Sequence, residues 1–252
     1  MVMEEKSMEI KKEPILDLKN MSNQIKTYLW NVRQAGEGLE MLSQLDNGSV
    51  ALAFFDPQYE KAGTVLNSAD WPLHFQSEQQ IINIIKEIFR VLKKSGFCLL
   101  WVNREILRTD RLQHWLSQTP LLKIVDLLVW DKHFFGCGNY FRSKCEFAFL
   151  LQKHPTNSKK FTNRSFPNLW GEDKPSISKR KHPHQKPFFL LRTLIEATTQ
   201  EKDLIVDPCA GSFVVLDACE ATGREFLGVD LTYEELKEYD WAENKQEREM
   251  KK

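Results

Sequence analysis

The chain has 252 residues, of which 42% are hydrophobic, and its 35 Lys and Arg side chains balance 35 Asp and Glu side chains. This length predicts one domain with a sizeable core. No apolar run reaches about 18 residues, and the charged N-terminus lacks the apolar core of a secretory signal, so neither a membrane span nor a secreted product is expected. We predict a mobile arm at 1–27, one domain at 28–235 and a charged tail at 236–252.

The first element with chemical content is the apolar run Val50–Phe55, which predicts a buried strand. It is followed by Asp56, Pro57, Gln58 and Tyr59. The carboxyl edge of an open α/β sheet is where ligands bind. Proline has no N–H, so the Asp56 carboxylate and the Pro57 carbonyl offer two acceptors to one amino group, and Tyr59 offers a ring to a planar base. On these four residues alone, an Asx or proline turn is the simpler interpretation.

The segment from Lys153 to Lys186 is basic and contains three aromatic side chains, Phe161, Phe166 and Trp170. Such a loop suits contact with phosphates and insertion between bases. A solvated linker between two half-sheets is the alternative interpretation. The candidate phosphate-contacting residues are Lys159, Lys160, Arg164, Lys179, Arg180 and Lys181.

The C-terminal third predicts a nucleotide-binding βαβ unit. A strand at 202–206 leads into a tight loop at 207–212, a helix at 214–222 that Gly223 stops, and a strand at 225–229. Asp230 ends that second strand, about 20 residues after the loop, where such units place an acid on ribose hydroxyls. The loop has only Gly211 rather than the G-x-G-x-x-G of a dinucleotide site, which disfavours NAD. Asp207 could alternatively cap the turn.

His182 to Pro187 (HPHQKP) precedes a predicted helix at 188–199. Asp-Pro-x-Tyr, His-Pro-x-x-Lys-Pro and Asp-Pro-x-x-Gly-Ser, in this order, resemble the β-class amino DNA methyltransferases, which methylate N6 of adenine or N4 of cytosine with S-adenosylmethionine. The resemblance covers Gln34 to Leu231. It implies a doubly wound, mainly parallel, Rossmann-like α/β sheet of seven strands with one antiparallel edge. It also implies a circularly permuted chain, with the catalytic half at 28–151, a target-recognition loop at 152–181 and the cofactor half at 182–235.

Smaller stretches match the same family. The segment 36–40 resembles the stretch whose acid approaches the cofactor's adenine, a role that falls to Glu37. The helix at 84–92, the turn at 93–96 and the strand at 97–102 resemble the elements after the catalytic loop. The segments 127–132 and 141–147 resemble the last two strands of the catalytic half, although Arg142 and Glu146 could equally be an exposed cross-strand pair.

The resemblance assigns roles residue by residue. Asp56 and Pro57 would hold the amine of a flipped base, with Gln58 in place of the usual proline and Tyr59 stacking on the base. Phe213 stands where glycine is usual, which predicts crowding at the methionine end of the cofactor, near Lys186 and Pro187. The implied cofactor-binding residues are Glu37, Lys186, Pro187, Asp207, Cys209, Ala210, Gly211, Ser212, Phe213 and Asp230.

The five cysteines (Cys98, Cys137, Cys145, Cys209 and Cys219) include no C-x-x-C pair, and no histidine is spaced with them as a zinc site requires. We therefore expect reduced thiols in the cytoplasm and no metal. Direct methyl transfer needs no cysteine nucleophile.

The function predicted from the sequence is N6-adenine methylation of DNA, of the kind found in restriction-modification, because the motif begins with Asp. N4-cytosine methylation and a catalytically silent DNA-binding relative are the alternatives. Glutamine and RNA methyltransferases fit less well, because the glutamine enzymes begin the motif with Asn and place the cofactor motif first. DNA is the expected partner and a membrane is not. The short recognition region predicts limited sequence specificity or help from a partner chain, and the oligomeric state, including a homodimer, stays open.

Overall fold

The structure, a computed structural model, describes residues 27–59, 75–136, 140–173 and 184–234. Apart from residue 27, the predicted N-terminal arm lies outside these ranges, as does the predicted tail at 236–252. Within them, no helix is both long and apolar enough to cross a bilayer. The described residues form a seven-stranded sheet flanked by five α-helices, which confirms the predicted α/β class.

The sheet has the strand order β5-β3-β4-β2-β1-β6-β7. β1 is an interior strand, parallel to β2 and β6, and all six of its residues are buried, as expected for a strand covered on both faces. β4 runs antiparallel to both neighbours, β2 and β3. The reversed strand is therefore third from one side of the sheet, not at the predicted antiparallel edge. The strands are β1 (Val50–Phe55), β2 (Leu92–Val102), β3 (Leu122–Asp131), β4 (Cys145–Lys153), β5 (Leu169–Gly171), β6 (Leu204–Asp207) and β7 (Glu225–Gly228).

The helices cover both faces of the sheet. On one face, α1 (Gly38–Ser43), α2 (Glu78–Val91) and α3 (Arg111–Leu116) pack in one apolar cluster. On the other, α4 (Phe188–Thr198) and α5 (Val214–Glu220) pack in a second. The capping box of Ser77 and Gln80 starts α2, whose isoleucines recur at helical spacing and face the core.

Several predicted boundaries differ from the structure, among them that of α2, which starts at Glu78 rather than at residue 84, and two differences concern β2 and β4. The turn expected at 93–96 lies inside β2, where Ser95 has a φ of 59° and the register to β1 breaks between Val50 and Leu52. The irregularity in the pairing accommodates the turn residues without ending the strand. The strand expected from Phe141 starts only at Cys145, so that the residues before it belong to the connection from β3.

The topology brings several chain segments to one edge of the sheet. The carboxyl ends of the parallel strands β1, β2, β6 and β7 meet there. Because β4 is reversed, its first residues reach the same edge, with Phe147 opposite Val102 at the end of β2. The segment before α1 also joins this edge, since Ala35 bridges Asp230.

Candidate active site

A cleft at this carboxyl edge collects most of the residues predicted from separate motifs. Asp56 and Gln58 enter it from the loop after β1, and His184 and Lys186 from the segment before α4. The loop after β6 lines the opposite side. The predicted site residues that line the cleft are Glu37, Asp56, Gln58, Lys186, Asp207, Cys209, Ala210, Gly211, Ser212 and Asp230.

The Asp230 carboxylate is fixed by its own βαβ unit. Its Oδ2 accepts a hydrogen bond from the Gly211 backbone N–H at 2.9 Å, and its Oδ1 accepts from both the N–H and the hydroxyl of Thr232. A carboxylate has about four acceptor sites, so these three contacts leave capacity for a ligand hydroxyl. The arrangement ties the loop after β6 to the end of β7.

Asp207 lies at the floor of the cleft. Burial raises its pKa to about 8, and the nearby Asp56 and Asp230 charges add to this effect, although the Cys209 N–H donates to its carboxylate. Burial likewise raises the pKa of the Cys209 thiol well above its ordinary value. Cys209 is therefore a poor nucleophile, in agreement with a site that transfers groups directly.

Glu37 is held over the loop after β6. Its side chain caps α1 by accepting from the Glu40 N–H at 2.7 Å, which places the carboxylate at the rim of the cleft. The next residue must be small: a Cβ on Gly38 would lie 2.4 Å from the Pro208 carbonyl oxygen. The close approach brings the 36–40 stretch and the cofactor loop into one wall.

Phe213 takes a different place from the one its motif position suggests. Its φ is 57°, in the left-handed region that glycine adopts freely, yet its ring is buried against Phe226 and Tyr233. Among the described residues lining the cleft, Phe213 is absent. The side chain turns into the core and fills space under α5.

Asp56 is paired with Lys186. The Lys186 Nζ lies 2.5 Å from Asp56 Oδ2 and 3.3 Å from Glu146 Oε2, and it sits 4.7 Å from the centre of the Trp101 ring. Burial alone would lower the pKa of this ammonium, but the Asp56 and Glu146 carboxylates raise it above its ordinary value. Lys186 is therefore a permanent cation beside Asp56 in the cleft.

A glutamate 14 residues earlier in the chain holds the helix that follows Lys186. Pro187 is the N-cap of α4 and its side chain makes no capping bond. The Glu172 carboxylate instead accepts from the N–H groups of Phe189 and Leu190 at 3.1 and 2.9 Å. A carboxylate at a helix N-terminus satisfies free N–H groups and matches the helix dipole, so Glu172 fixes where α4 begins.

Tyr59 is buried beneath the cleft. Its hydroxyl accepts from the Asn103 N–H at 2.6 Å, and its ring packs against Trp115 with the Arg111 guanidinium beside it. Burial raises the pKa of the hydroxyl. Among the described residues that line the cleft, neither Tyr59 nor the buried Pro57 is present, whereas Phe54 and Trp101 are.

Gln76 is a cleft residue that the sequence motifs do not indicate. Its backbone N–H donates to the Gln58 carbonyl at 2.7 Å, which joins the two ends of the segment 59–75. Its side-chain N–H contacts the Cys209 sulfur, and its buried Oε1 has no hydrogen-bond partner within the described part of the chain. An acceptor in this position suits a cationic or amino ligand.

Two of the predicted phosphate-contacting residues, Lys159 and Lys160, lie apart from Asp56. Lys159 and Lys160 form a short 3-10 turn beside Pro155, whose carbonyl accepts from Ser95 near the start of β2. That is the opposite edge of the sheet, roughly 15 Å away at about 3.3 Å per strand residue. Arg164 is exposed further along, and Lys179, Arg180 and Lys181 lie outside the described residues.

The aromatic side chains of this basic segment pack on one another. Phe161 meets Phe97 and Phe166 edge to face, and Phe166 stacks on Trp170 at 5.3 Å. All three are partly buried against the second apolar cluster. They fix the segment to the sheet rather than project from it.

The connection between β3 and β4, residues 132–144, carries exposed rings at the catalytic edge. Phe135 is 66% exposed and Tyr140 is 95% exposed. The Arg104 guanidinium, after β2, donates to the Phe141 carbonyl, which ties this connection to the end of β2. Arg142 donates to the Gly136 carbonyl, while Glu146 turns inward to Lys132 and Lys186.

Metal and disulfide chemistry find no support in the described residues. No group of three or more His, Cys, Asp or Glu side chains is arranged to hold a metal within ranges 27–59, 75–136, 140–173 and 184–234. The four cysteines in these ranges are free thiols, and Cys137 lies outside them.

Comparison with known proteins decides the family. A family profile described as DNA methylase, covering N6 and N4 enzymes, matches residues 50–240. The chain belongs to the N6/N4 amino DNA methyltransferase family. The methylase is 34% identical over 215 residues to the type II methyltransferase M.HhaII of Haemophilus parahaemolyticus, covering 81% of this chain and 92% of that protein. It is 25% identical to the DNA adenine methyltransferase YhdJ of Escherichia coli K12, over 80% and 79% of the two chains.

Solved structures agree with this fold. A putative DNA modification methylase from Thermus thermophilus, complexed with S-adenosyl-L-methionine, matches with a TM-score of 0.58 and 20% identity over 84% of this chain and 94% of that one. The cytosine-N4-specific PvuII DNA methyltransferase matches with a TM-score of 0.59 and 14% identity over 82% and 85%. The methylase uses S-adenosyl-L-methionine as its cofactor, as its family does.

Proposed function

We propose that the methylase transfers a methyl group to N6 of adenine in DNA, with Asp56 as the group that holds the target amine. One observation carries this proposal: Asp56 opens into the same cleft as Asp207, Gly211 and Asp230, which lie in a nucleotide-binding βαβ unit. An acceptor for an amine and a site for a nucleoside are thus adjacent.

The cofactor half offers groups that fit S-adenosylmethionine. Asp230 has acceptor capacity for ribose hydroxyls, and the Glu37 carboxylate at the rim suits the exocyclic amine of adenine. The unpartnered Gln76 oxygen and the buried Asp207 carboxyl, both within the described chain, suit the ammonium of the methionine part. When bound, the cofactor supplies an electrophilic methyl group on a sulfonium.

The chain's own contribution to the chemistry is to activate a weak nucleophile. The lone pair of an exocyclic amine is delocalised into the ring, so the amine needs acceptors that draw it toward tetrahedral geometry. The Asp56 carboxylate and the Pro57 carbonyl would each accept one N–H, and the carboxylate would stabilise the positive charge that develops on nitrogen. In the described chain the Asp56 carboxyl faces the Lys186 ammonium at 2.5 Å.

A separate proposal concerns which aromatic side chain contacts the flipped base. The motif predicts that Tyr59 stacks on the base, but Tyr59 packs against Trp115 inside the core. Phe54 and Trp101, which line the cleft, are better placed for an apolar contact with a base. For Tyr59 we propose instead a supporting role, because its hydroxyl holds the chain after β2 at Asn103.

Adenine is preferred over cytosine because the motif after β1 begins with Asp56, as in the N6-adenine enzymes that the chain resembles. The similarity to a DNA adenine methyltransferase of Escherichia coli supports this choice. The structural likeness to a cytosine-N4-specific enzyme keeps N4-cytosine as the second candidate. We also propose that the chain is circularly permuted relative to methyltransferases in which the cofactor motif comes first, since β1 with its catalytic loop precedes β6. DNA as substrate would place the enzyme in the cytoplasm.

The duplex is proposed to lie over the β3–β4 connection. This segment adjoins the edge that carries Asp56, and its exposed Phe135, Tyr140 and Phe141 are followed by the basic residues Arg142 and Lys144. Base–aromatic stacking contributes about 1–3 kcal/mol per base, which helps to offset the few kcal/mol that base flipping costs. Lys159 and Lys160, at the other edge, are poorly placed for the phosphates next to a flipped base.

Methyl incorporation tests the chemistry. Incubation with tritiated S-adenosylmethionine and DNA from a strain without methyltransferases should label the DNA, and sequencing that resolves the methylated bases should find N6-methyladenine. Label in N4-methylcytosine would select the second candidate, and no label would indicate a silent DNA-binding relative.

Two charge and aromatic variants test the DNA surface. Phe135→Ser combined with Tyr140→Ser should weaken DNA binding roughly tenfold, because two stacking surfaces are lost. Lys159→Glu combined with Lys160→Glu, as the matched pair at the opposite edge, should leave binding nearly unchanged. The reverse result in a fluorescence-anisotropy titration would return the interface to the basic segment predicted from the sequence.

A further inference from the structure

The Lys186 ammonium lies between two carboxylates of the catalytic half. Asp56 is the nearer, at 2.5 Å, and Glu146 is already within reach at 3.3 Å. The Lys186 side chain is only 12% exposed, so water competes little for its three N–H donors. The Lys186 ammonium therefore lies within reach of two carboxylate acceptors, Asp56 and Glu146.

The proposed chemistry needs Asp56 in a different state from the one observed. A positive charge develops on the target amine while Asp56 accepts its N–H. An ammonium on the same carboxylate weakens that acceptor and repels the developing charge, strongly so where water is excluded. Lys186 in its observed position would oppose the reaction that Asp56 is proposed to assist.

Glu146 is built to receive the ammonium. It is the second residue of β4, and only because that strand is reversed does it meet the ends of β1 and β2. Its Oε1 lies 3.4 Å from the buried Lys132 ammonium, while its Oε2 faces Lys186. A shift of about half an ångström would bring Lys186 to the usual distance of a charge-assisted hydrogen bond from Glu146, and a larger swing of its flexible side chain in the same direction would break the contact with Asp56. The Trp101 ring, 4.7 Å from Nζ, supports the ammonium beside either partner.

We propose that Glu146 is a positioning residue that draws Lys186 away from Asp56 when the target base enters the cleft. In the free enzyme the ammonium occupies the place on Asp56 that the target amine takes later, since both are nitrogen donors. The exchange frees Asp56 for the substrate. The inference rests on the proposed function and adds the step by which Asp56 becomes available.

The test uses single-turnover methyl transfer to unmethylated DNA. Glu146→Gln keeps the shape of the side chain and removes the charge that attracts Lys186, so transfer should slow by at least about tenfold, with unchanged affinity for S-adenosylmethionine. Lys186→Met removes the ion that has to move. The double variant should therefore transfer at the rate of Lys186→Met alone, within about threefold.

A matched control separates this role from general support of the hairpin. Asp131, on β3, has the same 23% side-chain exposure as Glu146 and pairs with Lys144 at 2.9 Å. Asp131→Asn should leave the transfer rate unchanged. Glu146→Asp, which keeps the charge but shortens the side chain, should be slower than the wild type with an unchanged melting temperature, and it serves if Glu146→Gln does not fold.

The outcomes are distinguishable from a failure of the proposed function. If the wild-type chain methylates no DNA, the proposed function is wrong. If it does and Glu146→Gln transfers at the normal rate, only the role of Glu146 is wrong. If the double variant is slowed by the product of the two single effects, Glu146 does not act through Lys186 and merely supports the structure. The same conclusion would follow if Asp131→Asn slowed transfer as much as Glu146→Gln.

Discussion

The two sides of the cleft, which are proposed to bind the cofactor and the target amine and are called here the cofactor side and the catalytic side, hold their acidic side chains in different ways. Asp230 and Asp207 accept from backbone N–H groups of their own βαβ unit, at Gly211, Thr232 and Cys209. Asp56 is held by Lys186, 130 positions away in the chain. The loop after β6 is therefore positioned largely within its own βαβ unit, whereas the position of Asp56 depends on a contact between distant parts of the chain.

Among the variants that test this difference between the two sides, Asp56→Ala should have the largest effect on methyl transfer. It removes the only carboxylate proposed to hold the target amine, so methyl transfer should fall by about a thousandfold or more. Cofactor affinity, measured by calorimetry, should stay within about threefold, because the nucleoside contacts belong to the other side. Asp46→Ala, an exposed acid before β1, is the control. Loss of cofactor binding in Asp56→Ala would show that the two sides are not separable.

Asp230→Ala should produce the opposite pattern. It removes a charge-assisted acceptor and releases the Gly211 N–H, which should weaken S-adenosylmethionine binding about tenfold to a hundredfold. At saturating cofactor, most of the transfer rate should return. Glu220→Ala removes an exposed acid from the same βαβ unit and should change neither quantity. Unchanged affinity in the Asp230 variant would rule out its ribose role.

The difference between local and long-range contacts also explains which features could be predicted from the sequence. Strand, loop, helix and acid follow one another within about 30 residues around Asp207 and Asp230, and local patterns indicate such βαβ units well. The inward position of Glu146 depends on the reversal of β4, and the cap by Glu172 depends on a contact between the end of β5 and the start of α4. No local pattern marks either one. The sequence motif locates Tyr59 clearly but does not predict its burial, because that follows from packing with Trp115.

Asp207 makes the stability of the cofactor side depend on pH. Burial raises its pKa from 3.8 to about 8, so the folded chain keeps a proton that the unfolded chain releases. Stability should therefore fall as the pH rises from about 4 to about 8 and level off above that range. Asp207→Asn, which cannot ionise, should gain stability relative to the wild type over this range. The two proteins are compared by denaturation at about pH 5 and about pH 8. An equal difference in their free energies of unfolding at the two pH values would contradict the burial effect.

Glu172→Ala should have the smallest effect, and it tests the long-range support of the catalytic side. Loss of the cap on α4 should lower the free energy of unfolding by about 1–2 kcal/mol and slow methyl transfer severalfold by loosening Lys186. Asp173→Ala changes the neighbouring acid, whose side chain is 83% exposed, and should do neither. Equal effects of the two variants in thermal melts and transfer assays would remove Glu172 from this role.

The reversed direction of β4 has a consequence for how such enzymes can diversify. A hairpin joins β3 to β4, so the segment 132–144 hangs from two paired strands and needs no crossover helix. Its length and side chains can change without altering the order of the sheet, because insertions in a surface connection cost little. The strand that brings Glu146 to the cleft thus also leaves an exchangeable surface beside it, and under the proposed function new target preferences would evolve there while the residues of the cleft stay the same.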